Sequence, residues 1–476
     1  MLKMIEWLQY LPEQKPKYMA IKKMIISLID KGQLSSGDQL PPERQLAKLL
    51  SVNRSTVTRA SDELVADGVI ERRVGSGTFV SQQARPQARR VNWHTYLISQ
   101  RQSQSQNERR QLQQLIRRKP EKLIDVYSSD LPLELVPQFQ FPALTWQDFI
   151  TAQALETPRG YQPLITAINQ LDQHNKRLFF TEEQLLMTAG VQQSLFLILQ
   201  GLLTPGDAVA IESPSFFHDS TLFEATGVRV YEASVDADGI YLTALEELII
   251  KHRVKLVILN PDYQNPTGHV MSFQKRKAVV HLCQMHQIPI VEDDVFGWLG
   301  FDTTRPIPTL KQLDPDNVIY ISSLSKIMGA SSRIGWVAAT PQVIEQLTRV
   351  QHEMDLVPSI MAQVMVTLAM GDPQFQTQLD QLKGTLQERA QATYKMLERV
   401  LPDWHVYLPA GGYYIWVTHP NHKLRLKTFI DHQLAVAPGS LFGLKTDALR
   451  INFARLNAID LVVLEQRLVA IIKATE

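Results

Sequence analysis

The chain has 476 residues, 44% hydrophobic and 20% charged, enough for about three domains and of ordinary globular composition, which excludes global disorder. A single cysteine, Cys283, excludes an intrachain disulfide and a cysteine-rich zinc site. No metal site is expected, and a reducing compartment fits. No apolar run approaches the roughly 20 residues of a membrane span, and Glu6 falls too early for the apolar stretch of a signal peptide, so a cytoplasmic protein is expected. The net charge of +1 hides an asymmetry: residues 1–120 hold 8 Lys and 13 Arg against 10 acids, while residues 121–476 hold 28 bases against 38 acids. A basic front on an acidic body points to a polyanion partner for the front alone.

Between about 15 and 80 the pattern is of short helices. Glu43 to Leu50 carries apolar residues at Leu46, Ala47, Leu49 and Leu50 behind Pro41-Pro42, a suitable helix start. After a turn at Ser51-Val-Asn53, a helix from Arg54 to about Asp67 places Val57, Ala60, Leu64 and Val65 on one face and ends at Gly68. Its first turn offers Arg54, Ser55, Thr56, Thr58 and Arg59, donors suited to base edges and phosphates in a major groove. Val69–Arg73 and Gly77–Val80 read as two strands of a wing with its tip at Val74-Gly-Ser-Gly77. Residues 81–120 are rich in Gln, Arg and Ser, as in Gln100-Arg-Gln-Ser-Gln-Ser-Gln-Asn107. That composition buries little apolar surface and reads as a linker, partly helical near Arg109–Arg118.

From about 121 onward, β-rich runs at 208–211, 228–231, 255–259, 288–291, 317–321 and 334–338 alternate with helical segments, which predicts a mostly parallel α/β sheet. Beyond about 345 the chain reads as mainly helical, with a late strand at Gly412–Val417. Lys326, in Ser322-Ser-Leu-Ser-Lys326, follows a strand among small hydroxyl residues and can attack an aldehyde as a nucleophilic amine. Arg333, seven residues on, can clamp a phosphate. Taken alone, Ser323-Leu-Ser-Lys326 also fits the Ser-x-x-Lys element of serine β-lactamases, but that reading requires Ser-Asp-Asn and Lys-Thr-Gly motifs, and neither occurs. Thr188-Ala-Gly-Val-Gln-Gln-Ser194 opens a helix whose first amides, Val191 and Gln192, can hold a phosphate. Asn260-Pro-Asp-Tyr-Gln-Asn-Pro-Thr-Gly268 presents Asn265 on a tight turn after a strand. Val291-Glu-Asp-Asp-Val-Phe296 sets Asp293 at a strand's carboxyl end, where α/β sheets bind ligands.

Leu40-Pro-Pro-Glu-Arg-Gln-Leu-Ala47, Arg54-Ser-Thr-Val57 and Gly75-Ser-Gly-Thr-Phe-Val80 together resemble the GntR family of winged-helix regulators. That resemblance implies contact with a double-stranded DNA operator by Arg44, Arg54, Ser55, Thr56, Thr58 and Gly75. Many members carry a further basic residue where Thr58 stands, with Arg59 or Arg72 as possible substitutes.

The four body motifs resemble the fold-type-I aminotransferases across about 121–476, with a large subdomain at about 160–345 and a small α+β one at about 346–476 joined by part of 121–159. The resemblance implies pyridoxal phosphate (PLP), with Lys326 as the Schiff-base lysine and Asp293 as the partner of the pyridine nitrogen. It implies Asn265 as donor to the ring oxygen, Phe216 of Glu212-Ser-Pro-Ser-Phe216 stacked on the ring, and Val191, Gln192, Ser323, Ser325 and Arg333 around the phosphate. Arg450 of Leu449-Arg-Ile-Asn-Phe453 matches the arginine that grips a substrate carboxylate, and Gly411-Gly412 match the family's small-domain glycine pair. Two positions depart from the pattern. Phe296 stands where a tyrosine is usual, and Leu155 where many members place a tyrosine from the other subunit.

A GntR-type domain at 1–80, a linker at 81–120 and an aminotransferase-like body at 121–476 resemble the MocR subfamily of regulators. That implies a head-to-tail homodimer and a transcription factor that senses PLP itself, or an amine or amino-acid effector through aldimine chemistry. The alternatives are an active aminotransferase with an appended DNA-binding domain and a cofactor-free regulator with a dead pocket.

Overall fold

Local apolar spacing builds the N-terminal part of the protein. The structure is a computed structural model and describes residues 7–473 except 14, 74, 82–103, 119–121, 177, 237, 303–306, 420–423 and 445–446. The chain separates into two compact units, residues 1–102 and 103–476.

In the first unit, α1 (Lys17–Asp30), α2 (Glu43–Leu49) and α3 (Arg54–Ala66) pack with the antiparallel pair β1 (Ile70–Arg73) and β2 (Gly77–Val80). Val57, Ala60 and Leu64, spaced along one stripe of α3, are fully buried against Ile21, Leu28, Leu46 and Val80, as an amphipathic helix requires. Two expected core positions differ: Leu49 is exposed, because it ends α2 on the solvent side, and Val65 is only half-buried. The wing forms as expected, although Val74 lies outside the described residues. Gly75 and Gly77 take left-handed φ values of 75° and 112°, which favour glycine.

Within the stretch read as linker, 82–103 and 119–120 lie outside the described residues. The remainder forms one continuous helix, α4 (Gln104–Arg118), longer than the helical portion expected. It belongs to the second unit and buries Leu112 completely against Trp416, Leu441 and Phe442.

The centre of the second unit is an eight-stranded sheet. Its strands run in the order 185–188, 335–338, 318–323, 290–293, 254–259, 208–213, 229–236 and 239–240. The four neighbouring pairs from Val318–Ser323 across to Arg229–Asp236 are parallel. Gly335–Ala338 is antiparallel to both its neighbours, and Gly239–Ile240 is an antiparallel edge. The central strands, 208–213, 254–259, 290–293 and 318–323, are buried on both faces and rich in Val, Ile and Leu without alternation, as parallel sheets demand, whereas Arg229–Asp236 near the edge is largely half-exposed. A second sheet takes Tyr414–His419 and Asp447–Asn452 as its central pair. The motifs at 188–194, 260–268, 291–296 and 322–326 lie at or just beyond the carboxyl ends of strands of the large sheet, while Arg450 lies in the second sheet.

Candidate functional site

The Val318–Ser323 strand ends in a single 3₁₀ turn, Leu324–Lys326. The turn places Lys326 at the mouth of a cavity of about 220 Å³. Ser323 stabilises the turn: its hydroxyl accepts from the Ser325 amide at 3.1 Å and donates to the Ile334 carbonyl at 2.8 Å. Lys326 Nζ donates to the Ser129 carbonyl at 2.8 Å and lies 5.5 Å from the Phe296 ring centroid and 5.8 Å from that of Tyr413.

Val191, Gln192, Phe216, Asn265, Asp293, Ser323, Ser325, Lys326 and Arg333, the nine residues expected around a cofactor, all line this one cavity. Gly190 precedes the Val191–Leu202 helix at φ 104°, a conformation that leaves the first helical amides open. Nothing lies within 4 Å of where a Gly190 Cβ would stand, whereas a Cβ at Gly335 would stand 2.8 Å from Gly190 Cα, so only glycine fits at Gly335 beside this turn. Arg333 holds a left-handed φ of 47° and is exposed at the cavity rim.

Asp293 ends its strand 6% exposed, with Oδ1 buried and unpartnered. Burial, then the neighbouring Asp294, pushes its carboxyl up to about 7, while the Lys326 charge opposes this. Asn265 is held from two sides. Its backbone N–H donates to Asn260 Oδ1 at 2.8 Å, and its side-chain Oδ1 accepts from Arg450 Nη1 at 2.9 Å. Arg450, 3% exposed, also donates from Nη2 to the Tyr127 carbonyl at 2.8 Å. It lies 4.2 Å from the Tyr414 ring centroid, and its Nε is buried without a partner. It lines an adjoining cavity of about 380 Å³ that shares Ser129 and Phe216 with the first. Phe296 is fully buried edge-on to Tyr413 and Tyr414. The Tyr413 hydroxyl is engaged on the Lys326 carbonyl.

Sequence reasoning missed several supporting residues. Asn260 donates to the Asp293 carbonyl at 2.6 Å and receives Asn265, tying two motifs together. Glu212, driven up to about 8 by burial, accepts the Asn260 amide at 2.9 Å. Arg276, fully buried, pairs with Asp262 at 2.5 Å and caps the Met271 and Pro261 carbonyls, fixing the 260–268 loop from behind. Ser129 and Tyr127 act through backbone carbonyls, which no side-chain pattern reveals.

The set suits PLP on its own geometry. An unpartnered buried carboxylate oxygen at Asp293 is what a protonated pyridine nitrogen satisfies. An open helix N-terminus with two serines and an arginine suits a phosphate, and a primary amine lies in the same cavity. Among the described residues no cluster of His, Cys, Asp and Glu could hold a metal ion, and no helix is long and apolar enough to cross a membrane.

In the first unit, Arg54, Ser55 and Arg44 are exposed, and Thr56 is half-buried at the start of α3. Thr58 is more constrained than expected. Its hydroxyl donates to Glu43 at 2.8 Å. Arg72, one candidate to supply the missing base, is tied by ion pairs to Glu43 at 3.0 Å and Asp62 at 2.7 Å. Arg59 stacks 4.0 Å from the Tyr18 ring centroid. Gly75 is exposed at the wing tip with open space around it.

Residues 140–468 match the aminotransferase class I and II family, and residues 17–80 match the bacterial regulatory proteins of the gntR family. The HTH-type transcriptional regulator YisV of Bacillus subtilis is 30% identical over 466 residues, 94% of each chain. The HTH-type transcriptional regulator NorG of Staphylococcus aureus (strain N315) is 27% identical over 434 residues, 87% of this chain and 95% of that one. The multiple substrate aminotransferase of Thermococcus profundus superposes with a TM-score of 0.69 at 23% identity, over 81% of this chain and 99% of that chain, a likeness of fold. The chain therefore belongs to the aminotransferase class I and II family over its body and carries a gntR-family DNA-binding domain ahead of it, making it a MocR-like transcriptional regulator whose family membership implies pyridoxal phosphate as cofactor.

Proposed function

We propose that this regulator uses its aminotransferase-like pocket to sense an amine or amino acid, or PLP itself, and converts occupancy into a change in operator binding. The observation that carries the reading is the convergence of Lys326, Asp293, Asn265 and Arg333 on one cavity, with Arg450 in the cavity beside it. When bound, the cofactor supplies a carbonyl carbon at which primary amines exchange and a ring that draws electrons. Lys326 is the amine that holds it covalently. Asp293 Oδ1 would keep the proton on the ring nitrogen, and the Val191 and Gln192 amides with Ser323, Ser325 and Arg333 would bind the phosphate. Phe216 covers one face of the ring. Arg450 receives an effector carboxylate. On the DNA side, Arg44, Arg54, Ser55, Thr56, Thr58 and Gly75 meet the operator. A homodimer would present two such domains. Trp146 and Ile150, one turn apart on the Trp146–Gln153 helix, are exposed, as are Leu133 and Leu155, and exposed apolar side chains of this kind are what an association surface covers.

Borohydride reduction of the purified full-length protein, followed by peptide mass mapping, tests the pocket. A cofactor-sized adduct is expected on Lys326 and is expected to be lost in Lys326→Ala. An adduct that survives on another lysine refutes the assignment. A second reading, a working aminotransferase with an appended DNA-binding domain, is favoured by the same four-residue set together with Arg450. It requires keto-acid product from an amino acid at ordinary enzymatic rates, roughly 1–1000 per second.

A further inference from the structure

The cavity beside Arg450 has a second cationic wall, and that wall is α4. The helix is fastened to the body along one side. Leu112 is fully buried, the Ser105 hydroxyl is engaged by Asp219, and the Ser440 hydroxyl donates to Glu108 at 2.5 Å. This packing turns Arg109 inward. Its Nη2 donates to the Leu441 carbonyl at 3.2 Å, and its Nε is buried with no partner. Arg117, two turns on and on the same helix face, lines the cavity as well. Against the guanidinium groups of Arg109, Arg117 and Arg450 the lining offers one carboxylate, Asp130. Like charges that share a partly desolvated cavity repel one another, and a buried donor left unmade is costly. Both terms are relieved together by an anion. The Arg109 charge is also felt at Arg450 itself, acting with burial to hold that guanidinium's affinity for its proton below the ordinary value.

We propose that the effector is an amino acid bearing a second acidic group, with its α-carboxylate on Arg450 and its side-chain anion on Arg109 of α4. This rests on the reading of the pocket as the effector site and names the class it takes. A neutral amino acid of similar length fills the same space without pairing Arg109. The consequence reaches beyond specificity, because α4 is the segment through which the chain enters the body from residues 82–103. An anion bridging Arg109 and Arg450 ties that helix to the Asp447–Asn452 strand. Ligand binding and the seating of α4 on the body are then linked by one contact.

The test uses full-length, cofactor-loaded protein and two acids of equal carbon number that lack an amine, glutarate and valerate, titrated by calorimetry. Glutarate is expected to bind at least about tenfold more tightly than valerate, the worth of one charge-assisted hydrogen bond. Arg109→Gln should cancel that ratio, Arg109→Lys should retain part of it, and Arg450→Gln should weaken both acids. In parallel, glutarate should slow amide hydrogen exchange across 104–118 in the native protein and fail to do so in Arg109→Gln. Equal affinity for the two acids in the native protein, no binding of glutarate, or a ratio that survives Arg109→Gln overturns the assignment. Affinity for both acids unaffected by Arg450→Gln would instead overturn the effector pocket itself, a separate failure.

Discussion

Glu212, Glu292 and Asp293 are buried acids near the carboxyl ends of two strands that flank Val254–Leu259, and each has reason to keep its proton. Burial raises Glu212 to about 8, Glu292 to about 7 and Asp293 to about 7. In the unfolded chain such groups titrate near 4. Between about pH 4 and pH 8 these three groups therefore bind more protons in the folded, cofactor-free protein than in the unfolded chain, and the stability they contribute falls as pH rises through that window. Thermal melts of cofactor-free protein should show the midpoint dropping across it. Glu212→Gln keeps an acceptor for the Asn260 amide and removes the highest of the three titrations, so its melting curve should flatten near pH 8. A midpoint that rises over the same range would contradict the assigned directions.

At the level of elements, α2 and α3 illustrate what a sequence shows well. Their apolar residues recur at helical spacing within one short segment, and the observed bounds lie within about a residue of those expected. The polar face of α3 is less legible. Thr58 sits in its expected turn, but its hydroxyl is spent on Glu43, a residue from another helix. That leaves Arg54 and Ser55, exposed at the start of the helix, as the proposed base readers. Arg54→Ala should cost roughly 1–3 kcal/mol of operator binding if it contacts a guanine, and should relax preference at that base. Gel-shift titrations on matched and single-base-changed operators measure both effects, and unchanged affinity on each would remove Arg54 from the contact set. The opposite case is α4. Its Gln, Arg and Ser content argues for solvated linker, yet Leu112, Leu115 and Ile116 recur at helical spacing and dock on the body. Three apolar residues among twelve polar ones are a weak signal until a surface exists to receive them. In the pocket, motif residues were readable because their chemistry demands particular side chains. The Ser129 and Tyr127 carbonyls were not, because every residue has a carbonyl.

Across the whole molecule, a basic DNA-binding unit, residues 1–102 with 16 bases against 9 acids, precedes an acidic body, residues 103–476 with 33 bases against 39 acids. The body thus repels the nucleic acid that the front attracts, and affinity for an operator depends on how many fronts one particle carries. Two domains joined in a dimer reach paired half-sites with an avidity that can exceed a single domain's by 10² to 10⁴, roughly, when the geometry permits both to engage. Trp146 and Ile150, exposed one turn apart on their helix, are proposed to hold that dimer. Trp146 is 67% exposed and Ile150 46%, so replacements there remove little from the core of the folded chain. A Trp146→Ala, Ile150→Asp double variant should therefore melt near the native temperature while sedimenting as a monomer. Its binding to a paired operator should fall by a factor far larger than its binding to one half-site, and its dependence on salt should become shallower as fewer phosphates are contacted. A variant that stays dimeric in sedimentation places the association surface elsewhere. One that becomes monomeric yet holds the paired operator as tightly as the native protein shows that single-domain contacts alone account for DNA binding.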